Sequence, residues 1–295
     1  MESTTEIKGP IVPMLTPFNE NGIIDEETLR KFIDWLVEQR VSTVFPIGGS
    51  GERVTLSLEE KKLIMKIVVE QADRRVLVWP GTGGTSLKET IYLSEYAAQI
   101  GADAIVVVVP REIEPSEDEI FSYYKELDKN IELPIYIYEP GGYEPYSITS
   151  ELFRRLSDLE HIAGIKDSSS NMIKITKMVM NTEGSEVQVI QGNEVLYLTS
   201  LPLGIKAVIG GGCNIYPSLF NKLLEEYNNG HTLFARKFQW EIIKRWEILA
   251  KSWPLTGKIV LSMRGIPFRP ICRVSFKRLN QTDLEDLKAL SVYDD

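Results

Sequence analysis

Histidine and cysteine are nearly absent: His161, His231, Cys213 and Cys272 are the only ones in 295 residues. Neither histidine has an acidic or cysteine neighbour at metal-ligand spacing, which argues against zinc sites and Ser-His-Asp machinery. A carbon–carbon lyase built on a metal enolate wants several histidine ligands, so the scarcity favours a route through an amine, with no metal and no cofactor. The two cysteines could pair in principle. With no export signal in the sequence, they are expected as free buried thiols. Positive charge is also short, 33 Lys and Arg against 42 Asp and Glu for a formal net charge of -9. That balance speaks against a nucleic-acid or anionic-membrane partner, because phosphate binding needs clustered basic residues. An anionic substrate must then be held by local donors. The longest apolar run, Ala104 to Val109, is far too short to span a bilayer, and the start lacks a basic segment followed by an apolar one. A cytoplasmic protein is the expectation.

What is present is alternation. Apolar, β-rich runs occur at Ile11 to Leu15, Thr43 to Ile47, Val76 to Trp79, Ala104 to Val109, Ile135 to Tyr138, Ala163 to Lys166, Val187 to Gln191 and Lys206 to Ile209. Runs such as Ile105-Val106-Val107-Val108-Val109 lack polar alternation, as strands buried on both faces of a parallel sheet do. Longer helical patterns lie between them. Ser57-Leu58-Glu59-Glu60, Ser86-Leu87-Lys88-Glu89 and Ser116-Glu117-Asp118-Glu119 each fit the capping box that opens a helix. Leu63, Ile64, Ile67 and Val68 form one stripe able to cover a sheet. Eight such strand–helix alternations predict an α/β fold, a (β/α)8 TIM barrel with a C-terminal helical extension, rather than an open doubly wound sheet. The barrel is assigned to residues 1–229 and the extension to residues 230–295. In the extension, Phe238, Ile242, Trp246, Leu249 and Trp253 read as one helical packing stripe.

Active sites of such barrels lie at the carboxyl ends of the strands. Ser50, Tyr138, Lys166, Gly192 and Ile209 all fall at or just past predicted strand ends. Lys166 ends the run Ile162-Ala163-Gly164-Ile165 and passes into Asp167-Ser168-Ser169. An amine in a dry barrel mouth has its pKa lowered by desolvation, which favours the nucleophilic form; a structural ion pair with Asp167 is the competing role. Tyr138 supplies a phenol able to shuttle protons. Gly48-Gly49-Ser50-Gly51-Glu52 supplies backbone N–H groups and a hydroxyl in a small concave set that suits a carboxylate. Amine, phenol and anion cradle together suggest carbonyl chemistry through a Schiff base.

With these motifs, and with Gly210-Gly211-Gly212-Cys213-Asn214 after the eighth run, the chain resembles the dihydrodipicolinate synthase/N-acetylneuraminate lyase family of class I aldolases from about Gly9 to Leu290. The resemblance implies Lys166 as the Schiff-base lysine and Tyr138 as the proton relay. It also implies that Gly49 and Ser50 hold the carboxylate of pyruvate, that Ile209 offers its backbone carbonyl, and that the assembly is a homotetramer. Its partners would be a small 2-oxo acid and an aldehyde.

The chain departs from the synthase branch in three places. After its tyrosine that branch carries Asn, and an arginine at the fifth position for the second substrate; here the stretch reads Tyr138-Glu139-Pro140-Gly141-Gly142-Tyr143. A Pro-Tyr-Tyr segment that lends an interfacial tyrosine is replaced by Pro110-Arg111-Glu112-Ile113-Glu114-Pro115. Two threonines of the turn are Gly49 and Ser50. These differences point toward cleavage or formation of a 2-keto-3-deoxy sugar acid. A sugar-acid dehydratase, a synthase-like condensation and a non-catalytic oxo-acid binder are the alternatives. Tyr143, Glu139, Gln191, Asn193 and Glu194 are candidate partners for the hydroxyls of a sugar.

Overall fold

The structure, a computed structural model, describes residues 7–110, 115–141 and 147–291. Strands and helices alternate as β1 Gly9–Pro13, α1 Glu26–Glu38, β2 Thr43–Phe45, α2 Leu58–Ala72, β3 Leu77–Val78, α3 Leu87–Gln99, β4 Ile105–Val107 and α4 Glu117–Asp128. They continue as β5 Ile135–Glu139, α5 Ser150–Leu156, β6 Ile162–Asp167, α6 Met172–Asn181, β7 Gln188–Gln191, α7 Tyr197–Ser200, β8 Ala207–Ile209 and α8 Pro217–Asn228. Helices α9 Thr232–Leu249, α10 Leu255–Met263 and α11 Gln281–Ser291 follow with no further strand among the described residues. The eight strands form one sheet in the order β3-β2-β1-β8-β7-β6-β5-β4. The fold is a (β/α)8 barrel.

By its contacts the chain divides into two compact units, one containing Trp79–Ile209 and the other Gly9–Val78 with Gly210–Asp295. In the first, β4 to β8 pair in parallel. Gly164 of β6 is required there, since a β-carbon on it would stand 2.4 Å from the Gln188 carbonyl oxygen and 2.9 Å from the Tyr136 ring. That ring stacks on Trp79 at 4.0 Å between centroids. In the second unit β1, β2 and β3 pair in parallel, and Ile11, Val12, Val44, Ile64, Ile67 and Val68 are buried.

Each predicted strand is present, shifted by a residue or two at its ends. Helix starts hold at all three capping motifs, but the reciprocal box forms only at Ser57 and Ser116. At Ser86 the serine caps Glu89 N, while the Glu89 carboxylate turns to Thr85, accepting from its N at 3.1 Å and its Oγ1 at 2.6 Å. On α2 the buried stripe takes Met65 and leaves Leu63 about two-fifths exposed (41%). Neither cysteine is in a disulfide; Cys213 is buried, whereas Cys272 is half-buried, with its thiol pushed up to about 11 chiefly by burial. Each histidine has one carboxylate partner, Asp128 for His161 and Glu226 for His231. Among the described residues no group of three or more metal-ligating side chains occurs, and no helix is long and apolar enough to cross a membrane.

Candidate active site

In the first unit the last residues of β5 and β6 run side by side, with Tyr138 paired to Lys166 and Glu139 to Asp167. Successive strand side chains point to opposite faces, so Tyr138 and Lys166 share one face and Glu139 and Asp167 the other. Lys166 Nζ sits 4.3 Å from the centroid of the Tyr138 ring, and the lysine is buried while the tyrosine is half-buried. The electron-rich face of a phenol stabilises an ammonium or iminium charge beside it.

Asp167 is engaged on its own side of the sheet. Lys174 of α6 places Nζ 2.8 Å from Asp167 Oδ2, and Asp167 Oδ1 accepts from Ser169 N at 2.8 Å and Ser169 Oγ at 2.5 Å. Glu139, buried, accepts from Gly141 N at 3.0 Å and Ile148 N at 2.6 Å. Burial pushes its carboxyl above the ordinary carboxylate range, against the opposing pull of those N–H groups and of the Lys174 charge. Gly192 follows β7 and donates to the Asp167 carbonyl at 2.7 Å; a β-carbon there would lie 2.2 Å from Ser168 Oγ. Ile209 is the last residue of β8 and buried.

In the second unit the turn after β2 closes through Glu52 N to the Gly49 carbonyl at 3.0 Å and Arg53 N to the Gly48 carbonyl at 3.3 Å. Ile47 and Glu52 bracket it in left-handed conformations, φ 62 and 58. Gly49 is exposed and Ser50 half-buried. Ser50 Oγ accepts from Trp253 Nε1 at 3.1 Å. Glu52 points inward, where Lys258 Nζ lies 2.6 Å from Oε1 with no exposed side-chain area on either partner. Its Oε2 accepts from Arg273 N at 2.6 Å and Val274 N at 3.0 Å.

Several sequence expectations change here. Trp253 is not on the helix: α9 stops at Leu249 and Trp253 is extended, with φ -67 and ψ 136. Of the candidate sugar partners, Glu139 is drawn into β5, one residue past the predicted run, and Gln191 ends β7, and both serve the scaffold. Gln191 donates to Ser200 Oγ at 2.6 Å and accepts from Asn193 N at 2.9 Å. Asn193 donates to Ser170 Oγ at 2.7 Å, and Glu194 is buried. Tyr143 and the 111–114 stretch lie outside the described residues. Lys174 and Lys258 carry no periodic signal that would single them out, and the periodicity at Trp253 pointed to packing alone.

A family model described as the dihydrodipicolinate synthetase family matches residues 6–291. The chain belongs to this family. As a member it is an enzyme of the lyase class. Among curated relatives, a 4-hydroxy-tetrahydrodipicolinate synthase of Citrifermentans bemidjiense is 30% identical over 280 residues, 92% of this chain and 96% of the relative. The enzyme of the same name from Clostridium perfringens is 29% identical over 287 residues, 96% of this chain and 98% of the relative. Among solved structures, the dihydrodipicolinate synthase of Aquifex aeolicus superposes with a TM-score of 0.89 at 27% identity, covering 96% of this chain and 97% of that one. A prophage protein of the dihydrodipicolinic acid synthase family from E. coli K12, in complex with pyruvate, gives 0.88 at 27% identity over 96% and 97%. The curated relatives bear the synthase name, which does not support the expected lean to sugar-acid aldolases.

Proposed function

We propose that the chain is a class I lyase that carries pyruvate as an iminium on Lys166 and joins it to an aldehyde. One observation carries this reading: Lys166 is paired in register with Tyr138 at the ends of β5 and β6, while the adjacent Asp167 is already held by Lys174. The lysine amine adds to C2 of pyruvate, and loss of water from the carbinolamine gives the iminium. That cation withdraws electrons from C3, which loses a proton and adds as an enamine to the carbonyl carbon of the aldehyde. Tyr138 moves the proton between the carbinolamine and the substrate oxygen. Hydrolysis returns the amine. Gly49 and Ser50 hold the pyruvate carboxylate, and Ile209 offers its backbone carbonyl. A homotetramer is the assembly implied by the family resemblance.

For the second substrate, condensation of the synthase type comes first, because that is the name the relatives bear. Cleavage of a 2-keto-3-deoxy sugar acid is the second reading. It is favoured by Tyr143 where the synthase branch has its arginine, and by Gly49, where a β-carbon would meet nothing within 4 Å. A phenol cannot replace a bidentate guanidinium on a carboxylate.

Two experiments test the reading. Borohydride reduction with pyruvate should add a reduced pyruvyl mass to the Lys166 peptide and not to a Lys166→Ala variant; a label on another lysine refutes the assignment. Aspartate semialdehyde and glyceraldehyde, offered together with pyruvate, then separate the two acceptors. Faster use of the semialdehyde with a cyclised product supports the condensation, and faster use of glyceraldehyde supports the sugar-acid reading.

A further inference from the structure

We propose that Trp253 is a positioning residue for the Ser50 hydroxyl, fixing it as a hydrogen-bond donor toward the carboxylate of a 2-oxo acid. The inference rests on the reading above, in which Ser50 receives that carboxylate. Trp253 Nε1 lies 3.1 Å from Ser50 Oγ, and an indole N–H can only donate. Ser50 Oγ is therefore the acceptor of this bond. With that side of the oxygen occupied, the single hydroxyl proton is directed to the remaining positions around it. Accepting one bond also polarises the hydroxyl for donating another. A carboxylate accepts and cannot donate, so it matches a hydroxyl prepared in this way. Both residues are half-buried, which leaves the hydroxyl reachable by a small ligand.

The indole has a built seat. A β-carbon on Gly257 would stand 2.5 Å from Trp253 Cζ3, and one on Gly211 would stand 3.2 Å from Trp253 Cε2, so two absent side chains make room for the ring. Trp246 packs against it at 5.4 Å between centroids, with ring planes 61° apart. The segment that carries Trp253 leads into α10, where Lys258 grips Glu52 of the same turn at 2.6 Å. The turn is thus tied at Ser50 by the indole and at Glu52 by a fully buried ion pair. Two ties to one segment hold hydroxyl and donor in a fixed relation, the preorganisation an anion cradle needs.

Trp253→Phe keeps a six-membered aromatic ring and removes the N–H with the rest of the five-membered ring, and the double variant with Ser50→Ala separates the two losses. The pyruvate concentration giving half-maximal borohydride labelling of Lys166, and the KM for pyruvate, should rise roughly 3- to 10-fold, with the loss falling on KM rather than kcat. Ser50→Ala should raise the same quantities roughly 10- to 100-fold, the range of a hydrogen bond to a charged group. Because the tryptophan acts through the serine, Trp253→Phe added to Ser50→Ala should cost nothing further; a merely structural tryptophan would give additive losses. Should Trp253→Phe fail to fold, Gly257→Ala displaces the indole without deleting it and should show the same rise. A labelled wild type with unshifted half-saturation in the variant overturns the inference alone, as does an additive double variant. An unlabelled wild type overturns the pyruvate reading together with this one.

Discussion

Lys166 and Tyr138 stand opposite one another in the register of β6 and β5, with the lysine nitrogen 4.3 Å from the centroid of the phenol ring. The next pair along, Asp167 and Glu139, faces the other way and is fastened by Lys174 and by backbone N–H groups. One strand pair therefore presents a reacting face and a bracing face. Tyr138→Phe separates the ring from the hydroxyl: the ring stays beside the amine and the proton relay is lost. Turnover should fall roughly 10²- to 10⁴-fold, while the protein folds and Lys166 still labels with pyruvate. Turnover close to wild type would make the tyrosine a packing residue.

The bracing face has its own pH signature. Burial raises the Glu139 carboxyl above its ordinary value of 4.5. Between those two values the folded chain holds more protons than the unfolded one, so this group's contribution to stability declines as pH rises through the window. Glu139→Gln removes the titration. Urea unfolding from pH 4.5 upward should give a flatter decline in the variant than in the wild type, and parallel curves would contradict the assignment.

The strands were legible because parallel strands buried on both faces are written as unbroken apolar runs, and the three serine motifs marked helix starts by local chemistry alone. The faces of the strand ends were less so. Glu139 lies just past the predicted run, but β5 extends one residue beyond the apolar stretch to include it, and Glu139 and Gln191, the last residues of β5 and β7, both turn to scaffold partners. The pairing of Tyr138 with Lys166 also needed the register, which shifts between Ile135 and Tyr136. Trp253 read as part of a packing stripe because its bond to Ser50 joins residues 203 positions apart, a separation that no periodicity reports.

Acid sensitivity should come from Glu60. Arg273 donates to both of its oxygens, at 2.9 Å and 2.5 Å, and holds its carboxyl down to about 2, with the Ser57 backbone N–H helping. Here the folded value lies below the ordinary one of 4.5, so the stabilisation is fully present above 4.5 and is lost as pH falls toward about 2. Glu60→Gln keeps an acceptor for the Ser57 cap and removes the charge. The stability gap between wild type and variant should be roughly 2 kcal/mol at neutral pH, after allowance for partial exposure, and should close as pH falls through that window. A gap independent of pH would show that the ion pair contributes nothing.

Gly49 and Gly51, two residues apart in one turn, should answer substitution in opposite ways. A β-carbon on Gly51 would stand 2.9 Å from the Met14 carbonyl oxygen and 3.2 Å from Thr16 Oγ1, against buried backbone that cannot yield easily. Thr16 Oγ1 also donates to the Gly51 carbonyl at 2.8 Å, so any shift there breaks a buried bond. Gly51→Ala should therefore destabilise the fold by roughly 1–3 kcal/mol, as overpacking does. At Gly49 a β-carbon meets nothing within 4 Å, and its φ is not in the left-handed range. Gly49→Ala should leave the melting temperature within about a degree of wild type, an effect inside the range of exposed substitutions. Its consequence should fall on the ligand, as a raised half-saturation for pyruvate or for the aldehyde. Equal melting temperatures with unchanged saturation would remove Gly49 from the site. A large loss of stability at Gly49 would mean that the space beside it is filled in the folded assembly.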